Sequence, residues 1–163
     1  GAYLGFRSSH ASIMRCAMQT SGIGPIVGVG YRDLGESEIA LIEREPERLH
    51  AFTDADIAWR LAQGSSWVSI VNQIIDCLPP EIHISFDIDG LDPSLCPNTG
   101  TPVPGGLSFR QACVLLRAIA EQRRVVSFDL CEVSPGKDNE WDANVGARIL
   151  YKLAGCTLMS RAR

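Results

Sequence analysis

Two apolar, β-rich stretches each run directly into acids, and this limits the folds open to the chain. Residues 82–87 read IHISFD and are followed by Asp89 and Asp92, with Gly90 and Pro93 among them; residues 125–130 read VVSFDL and lead to Glu132. A buried strand that ends in carboxylates is costly, because like charges repel and a desolvated carboxylate needs a partner or a cation. Strands of this kind belong in the interior of a sheet, with their polar ends at its rim. The intervening sequence has helical spacing. Thr53 can cap residues 54–63, which end before Gly64, and residues 66–78 are amphipathic and end at Pro79 and Pro80. Ser108 and Gln111 make a capping box for the helix that follows, and residues 142–153 form the last helix. Further helices are expected at 12–20 and 36–43, and strands at 26–30 and 49–52. Strand and helix alternate, which predicts an α/β fold with a mostly parallel sheet. In such sheets ligands gather at the carboxyl ends of the strands, where Asp87, Asp129 and Glu132 fall.

Composition narrows the class. With 163 residues, 45% hydrophobic and 21% charged, the chain suits one globular domain. A net charge of −4 without a Lys/Arg cluster gives no reason to expect nucleic acid. No apolar run reaches the roughly 18 residues of a membrane span. The six cysteines form no C-x-x-C pair and read as buried, reduced thiols of a cytoplasmic protein. The chain does not begin with Met, which suggests a piece of a longer protein.

Three chemistries compete for the acidic cluster. A plain turn explains one or two of the acids but not three beside an apolar strand. An EF-hand needs Gly at its sixth position and Glu at its twelfth; counting from Asp87, Gly90 is fourth and Asn98 is twelfth. FDIDG also resembles the nucleophile motif of haloacid-dehalogenase-type phosphatases, although Leu91 follows directly where that family has Thr.

The longer string SFDIDGLDPSLCPNTGTPVPGGLS resembles the second metal motif of the ureohydrolases, the arginase and agmatinase family. RSSHASIMRCAM, VGYRDL and SFDLCEVSPGKDNEWDANVGARILYKL resemble other segments of that family, in the same order. The resemblance implies the three-layer α/β/α sandwich of arginases, lacking its N-terminal portion, and an active site with two Mn²⁺ ions. It implies that Asp87 bridges both ions, that Asp89 binds one, and that Asp92 supports the metal loop through hydrogen bonds. It also implies that Glu132 pairs with a substrate guanidinium, that Thr101 lines the pocket, and that His10 shuttles a proton to the leaving amine. His50 and His83 match no motif and read as structural, Asp129 as a packing or hydrogen-bonding acid, and Trp59, Trp67 and Trp141 as core or interface residues.

The expected partner is a small guanidino compound, and the whole protein is expected to be a homo-oligomer. Where arginases carry an acid that contacts the α-amino group of arginine, this chain has Gly35. The expected substrate is therefore agmatine-like, with arginine or a formimidoyl compound as alternatives. The family's other metal ligands, an earlier His and an Asp-Ala-His-x-Asp motif, do not occur in the chain. The chain alone is thus expected to bind Mn²⁺ weakly and to be inactive.

Overall fold

The computed structural model describes residues 5, 6, 9 and 12–162. The elements, in order, are α1 (Ile13–Gln19), β1 (Ile26–Tyr31), α2 (Glu36–Arg44), β2 (Leu49–Thr53), α3 (Asp54–Ala62), α4 (Trp67–Asp76), β3 (Glu81–Asp87), a 3₁₀ turn (Ile88–Gly90), α5 (Phe109–Gln122), β4 (Arg124–Cys131) and α6 (Trp141–Arg161). The expected α/β alternation is present, and both strand pairs are parallel: β1 with β2, and β3 with β4. Among the described residues the predicted parallel pairing is present in two parts, as two two-stranded sheets.

Local chemistry sets most of the helix starts. Thr53 accepts the Asp56 N–H, and Ser108 and Gln111 exchange both bonds of the predicted capping box. The 66–78 segment is helical only over α4, where Ser66 accepts the Ser69 N–H. The last helix runs eight residues beyond the expected 153, to Arg161. Its polar residues are satisfied inside the fold, so they do not end it. The Thr157 hydroxyl donates to the Leu153 carbonyl, and Ser160 Oγ donates to the Thr157 carbonyl and accepts the Val125 N–H.

The core lies where α4, α5 and α6 meet β3 and β4. Ile70, Ile74 and Ile75 of α4, Leu116 of α5, and Ile149 and Leu153 of α6 are almost wholly buried, together with Val125 of β4. The register of β3 and β4 shifts between Ile82 and His83, with Ile82 opposite Val125 and His83 opposite Ser127. The extra residue is Val126. A bulge of one residue exchanges the faces of a strand. Val125 therefore points to the core, and Phe128 and Leu130 pack there after the bulge. The other face carries His83, Ser85 and Asp87 against Ser127, Asp129 and Cys131.

One composition-based expectation, that of buried cysteines, needs correction. The cysteines are free, but only Cys96 is buried, while Cys16 and Cys131 are exposed because they lie outside the helical core. Trp67 packs against the core and donates its indole N–H to the Gln111 carbonyl, whereas Trp59 and Trp141 are largely exposed.

Candidate active site

Asp87 ends β3 and Asp89 lies in the 3₁₀ turn that follows. Strand pleating would put i and i+2 on one face, but here the two acids converge through a turn. The Asp87 carboxylate accepts the Asp89 N–H at 3.1 Å, so the chain folds back on its own acid. The Asp87 carboxyl is pushed up to about 6. Desolvation at the strand end is the leading cause; the Asp89 N–H opposes it, and the Asp89 and Glu132 carboxylates add to it. Three acids from the ends of two strands thus share one neighbourhood, and no ion pair among the described residues neutralises them.

Thr101 Oγ1 donates to Asp89 Oδ2 at 3.1 Å, so this expected pocket residue touches a site carboxylate directly. Asp92 accepts both the N–H and the hydroxyl of Ser94, at 2.8 and 2.6 Å, and those bonds hold its carboxyl below the usual range. It therefore shapes the loop beyond the turn without touching Asp87 or Asp89. Glu132 follows β4 directly, in the left-handed region at φ 60°. Outside glycine that conformation costs about 1–2 kcal/mol. His10 lies outside the described residues.

Several contributors left no clear mark in the sequence. Arg32, just past β1, donates through Nη1 to the Gly30 carbonyl at 3.3 Å and the Gly90 carbonyl at 3.5 Å, and through Nη2 to the Asp89 carbonyl. It thereby joins the first sheet to the acidic turn, although its Nε is buried with no hydrogen-bond partner among the described residues. Gly106 seals the same junction. A Cβ there would stand 2.6 Å from the Leu91 backbone and 2.9 Å from Arg32 Nη1, at φ +94°. Gly106→Ala is expected to lower stability by about 2–4 kcal/mol, combining left-handed strain with overpacking. Thermal denaturation followed by circular dichroism checks this.

Below Asp87, the polar face of β3 and β4 is a hydrogen-bonded ladder. His83 bonds Ser127 Oγ through Nδ1 and Asp129 Oδ2 through Nε2, both at 2.8 Å. The Ser85 hydroxyl and the Cys131 thiol donate to Asp129 Oδ1 at 2.9 and 3.1 Å. Burial works against charge on Asp129, but these three donors hold its carboxyl below the usual range. The same bond to Asp129 pushes the Cys131 thiol up to about 11. The expectation of structural roles for His83 and Asp129 fits this network. The visible signal was the alternation of polar residues in HISFD and SFDLC, at i and i+2.

Comparison with known proteins gives the family. A sequence profile described as "Arginase family" matches residues 2–156. An N(1)-aminopropylagmatine ureohydrolase of Thermus thermophilus is 41% identical over 148 residues, which are 90% of this chain and 46% of that protein. Among solved structures, the proclavaminate amidino hydrolase of Streptomyces clavuligerus superposes with a TM-score of 0.80 at 26% identity, covering 98% of this chain and 51% of the other. The arginase of Bacillus caldovelox superposes with a TM-score of 0.70 at 29% identity, covering 83% and 45%. The chain spans about half the length of these relatives. The fold is arginase-like, and the likeness sets the phosphatase reading aside. The chain belongs to the arginase family.

Proposed function

We propose that the chain is part of a binuclear manganese ureohydrolase that cleaves the guanidino group of an agmatine-like substrate to urea and an amine. The observation that carries this reading is the convergence of Asp87, Asp89 and Glu132 with no neutralising ion pair among the described residues. Carboxylate oxygens crowded at one place suit hard divalent cations, Mn²⁺ among them. The donor set therefore fits the metal the family implies, although among the described residues no group of three or more metal-ligating side chains assembles. Asp87 and Asp89 would hold the ions. The ions, when bound, supply a water acidic enough to attack near neutral pH.

The remaining roles belong to the protein. Glu132 pairs with the substrate guanidinium and aims its carbon at the water. Thr101 holds one Asp89 oxygen and so fixes the other's direction. The water oxygen bonds to the guanidino carbon, the bond from that carbon to the substrate's chain nitrogen breaks, and His10 delivers the proton that the leaving amine requires. Asp92 and its bonds to Ser94 steady the loop.

Substrate choice rests on Gly35. It caps α2, its N–H bonded to Glu38 Oε2 at 2.8 Å, and it offers no side chain to an α-amino acid head. The name of the Thermus relative, an agmatine derivative's hydrolase, points the same way. On this reading the whole enzyme is a cytoplasmic homo-oligomer acting on a small guanidino amine. Among the described residues no helix is long and apolar enough to cross a membrane. The family's other metal motif, an earlier His and Asp-Ala-His-x-Asp, does not occur in these 163 residues, so the chain by itself is expected not to turn over.

The test is urea release with Mn²⁺, measured for this chain and for a longer polypeptide that contains it. The longer protein is expected to release urea from agmatine faster than from arginine, and the chain alone to stay at background. Glu132→Gln should raise KM about 10–100-fold, the scale of a lost charged hydrogen bond, and His10→Asn should slow turnover about 10²–10⁴-fold. Urea production by the chain alone overturns the ligand account. Phosphate released from an aryl phosphate with Mg²⁺, and abolished by Asp87→Asn, overturns the reaction class.

A further inference from the structure

Among the described residues, Glu132 is the only one other than glycine with a positive φ. A conformation of that kind persists where neighbouring groups over-determine it, and here they can be named. Thr99, 5% exposed, donates its hydroxyl to the Glu132 carbonyl at 2.9 Å. Gly100 comes next and adjoins the Glu132 side chain: a Cβ there would stand 3.4 Å from Glu132 Oε2, an ordinary van der Waals contact. Thr101 then bonds Asp89. Three consecutive residues thus touch the two acids that end different strands.

This segment is anchored from behind. The Asn98 N–H donates to Asp142 Oδ2 and its side-chain amide to Asp142 Oδ1, both at 2.9 Å. Asp142 is 1% exposed in the first turn of α6. A buried carboxylate gripped by both donors of one residue gives the segment a fixed origin, and Thr99 is the next residue along. Glu132 itself is exposed, so packing around its side chain does not hold the bend. The Thr99 hydroxyl is its visible constraint.

We propose that Thr99 is a positioning residue for Glu132: its hydroxyl holds the left-handed bend that turns the Glu132 carboxylate toward Asp87 and Asp89. The consequence for turnover rests on the ureohydrolase reading; the conformational claim does not.

Two measurements separate these levels. In the 163-residue chain, the one-bond Cα–Hα coupling of Glu132 reports its φ by NMR. Thr99→Val is expected to release Glu132 from positive φ, and Thr99→Ser, which keeps the hydroxyl, to retain it. If the valine variant does not fold, Thr99→Ala gives the same reading. An unchanged coupling in the variant without a hydroxyl overturns the proposal. In the longer, Mn²⁺-supplied protein, Thr99→Val should raise KM for agmatine at least about tenfold and change kcat less, while Thr99→Ser stays within about twofold of wild type on both. A fall in kcat at unchanged KM overturns the positioning role. Absence of urea release from every form, wild type included, defeats the ureohydrolase reading while the NMR result still decides the claim about Thr99.

Discussion

Asp87→Asn is expected to abolish turnover in the longer protein and, in metal-free protein at neutral pH, to make the fold more stable. The first effect follows from the role proposed for Asp87. A carboxylate that would hold the ions cannot be replaced by a neutral amide without losing several kcal/mol of charge stabilisation, a loss of about 10³-fold or more in rate. The second follows from its titration. The carboxyl lies at about 6 in the folded chain against an ordinary 3.8. Below about 3.8 both folded and unfolded chains hold the proton, and the folded chain bears no cost. As the pH rises through 6 the folded chain must ionise a group it prefers neutral, so stability falls. The full shift would amount to about 3 kcal/mol. Asp87 remains open to solvent, and screening reduces the expected gain to about 1 kcal/mol. Asparagine keeps the oxygen that accepts the Asp89 N–H. Melting curves should therefore coincide near pH 4 and separate by pH 8, with the asparagine variant higher. Saturating Mn²⁺ should reverse that order, because only wild type gains from binding. A wild type more stable than Asp87→Asn at pH 8 without metal would count against the crowded, metal-free cluster.

A large loss of stability, comparable to that of Gly106→Ala, is expected from Asp142→Ala. Asp142 is buried, and both its oxygens accept hydrogen bonds from Asn98. Alanine leaves the backbone N–H and the side-chain amide of Asn98 without an acceptor, and removes a negative charge from the positive end of a helix of 21 residues. About 2–4 kcal/mol should be lost, which for a chain of this size lowers the melting temperature by about 5–15 °C. Asp142→Asn keeps one acceptor and should cost less. Asp92→Ala is the control: its bonds to Ser94 are local and more exposed, so its cost should stay under about 1 kcal/mol. Similar losses at the two positions would mean that the Asn98 anchor is not what holds the loop.

What the sequence made legible was the chemistry of near neighbours. Thr53, Ser108 and Gln111 cap their helices because a cap needs only residues within one turn. The apolar strands and the acids at their ends were visible for the same reason. The meeting of Asp87 and Asp89 was expected from the pleat, but a turn closed by the Asp89 N–H produces it. The length of α6 was under-read because Thr157 and Ser160 look like surface residues until the carbonyls and the Val125 N–H that satisfy them are seen. The clip on Glu132 was not legible at all. Thr99 meets its partner across 33 residues and Asn98 across 44, and no local pattern specifies such pairings. The split into two sheets was equally hidden, since the strand pattern does not say which strands are neighbours.

The central claim is that Asp87 and Asp89 form a metal seat beside Glu132. Mn²⁺ is paramagnetic and broadens the NMR signals of nuclei near it, so titrating it into this chain tests the claim most directly. The account predicts that the amides of Asp87, Asp89, Thr101 and Glu132 broaden first, at high Mn²⁺ because the ligand set is partial, and that Asp87→Asn removes the effect. Broadening that begins at another acidic surface, such as Glu36 and Glu38 of α2, or that survives in Asp87→Asn, would contradict it.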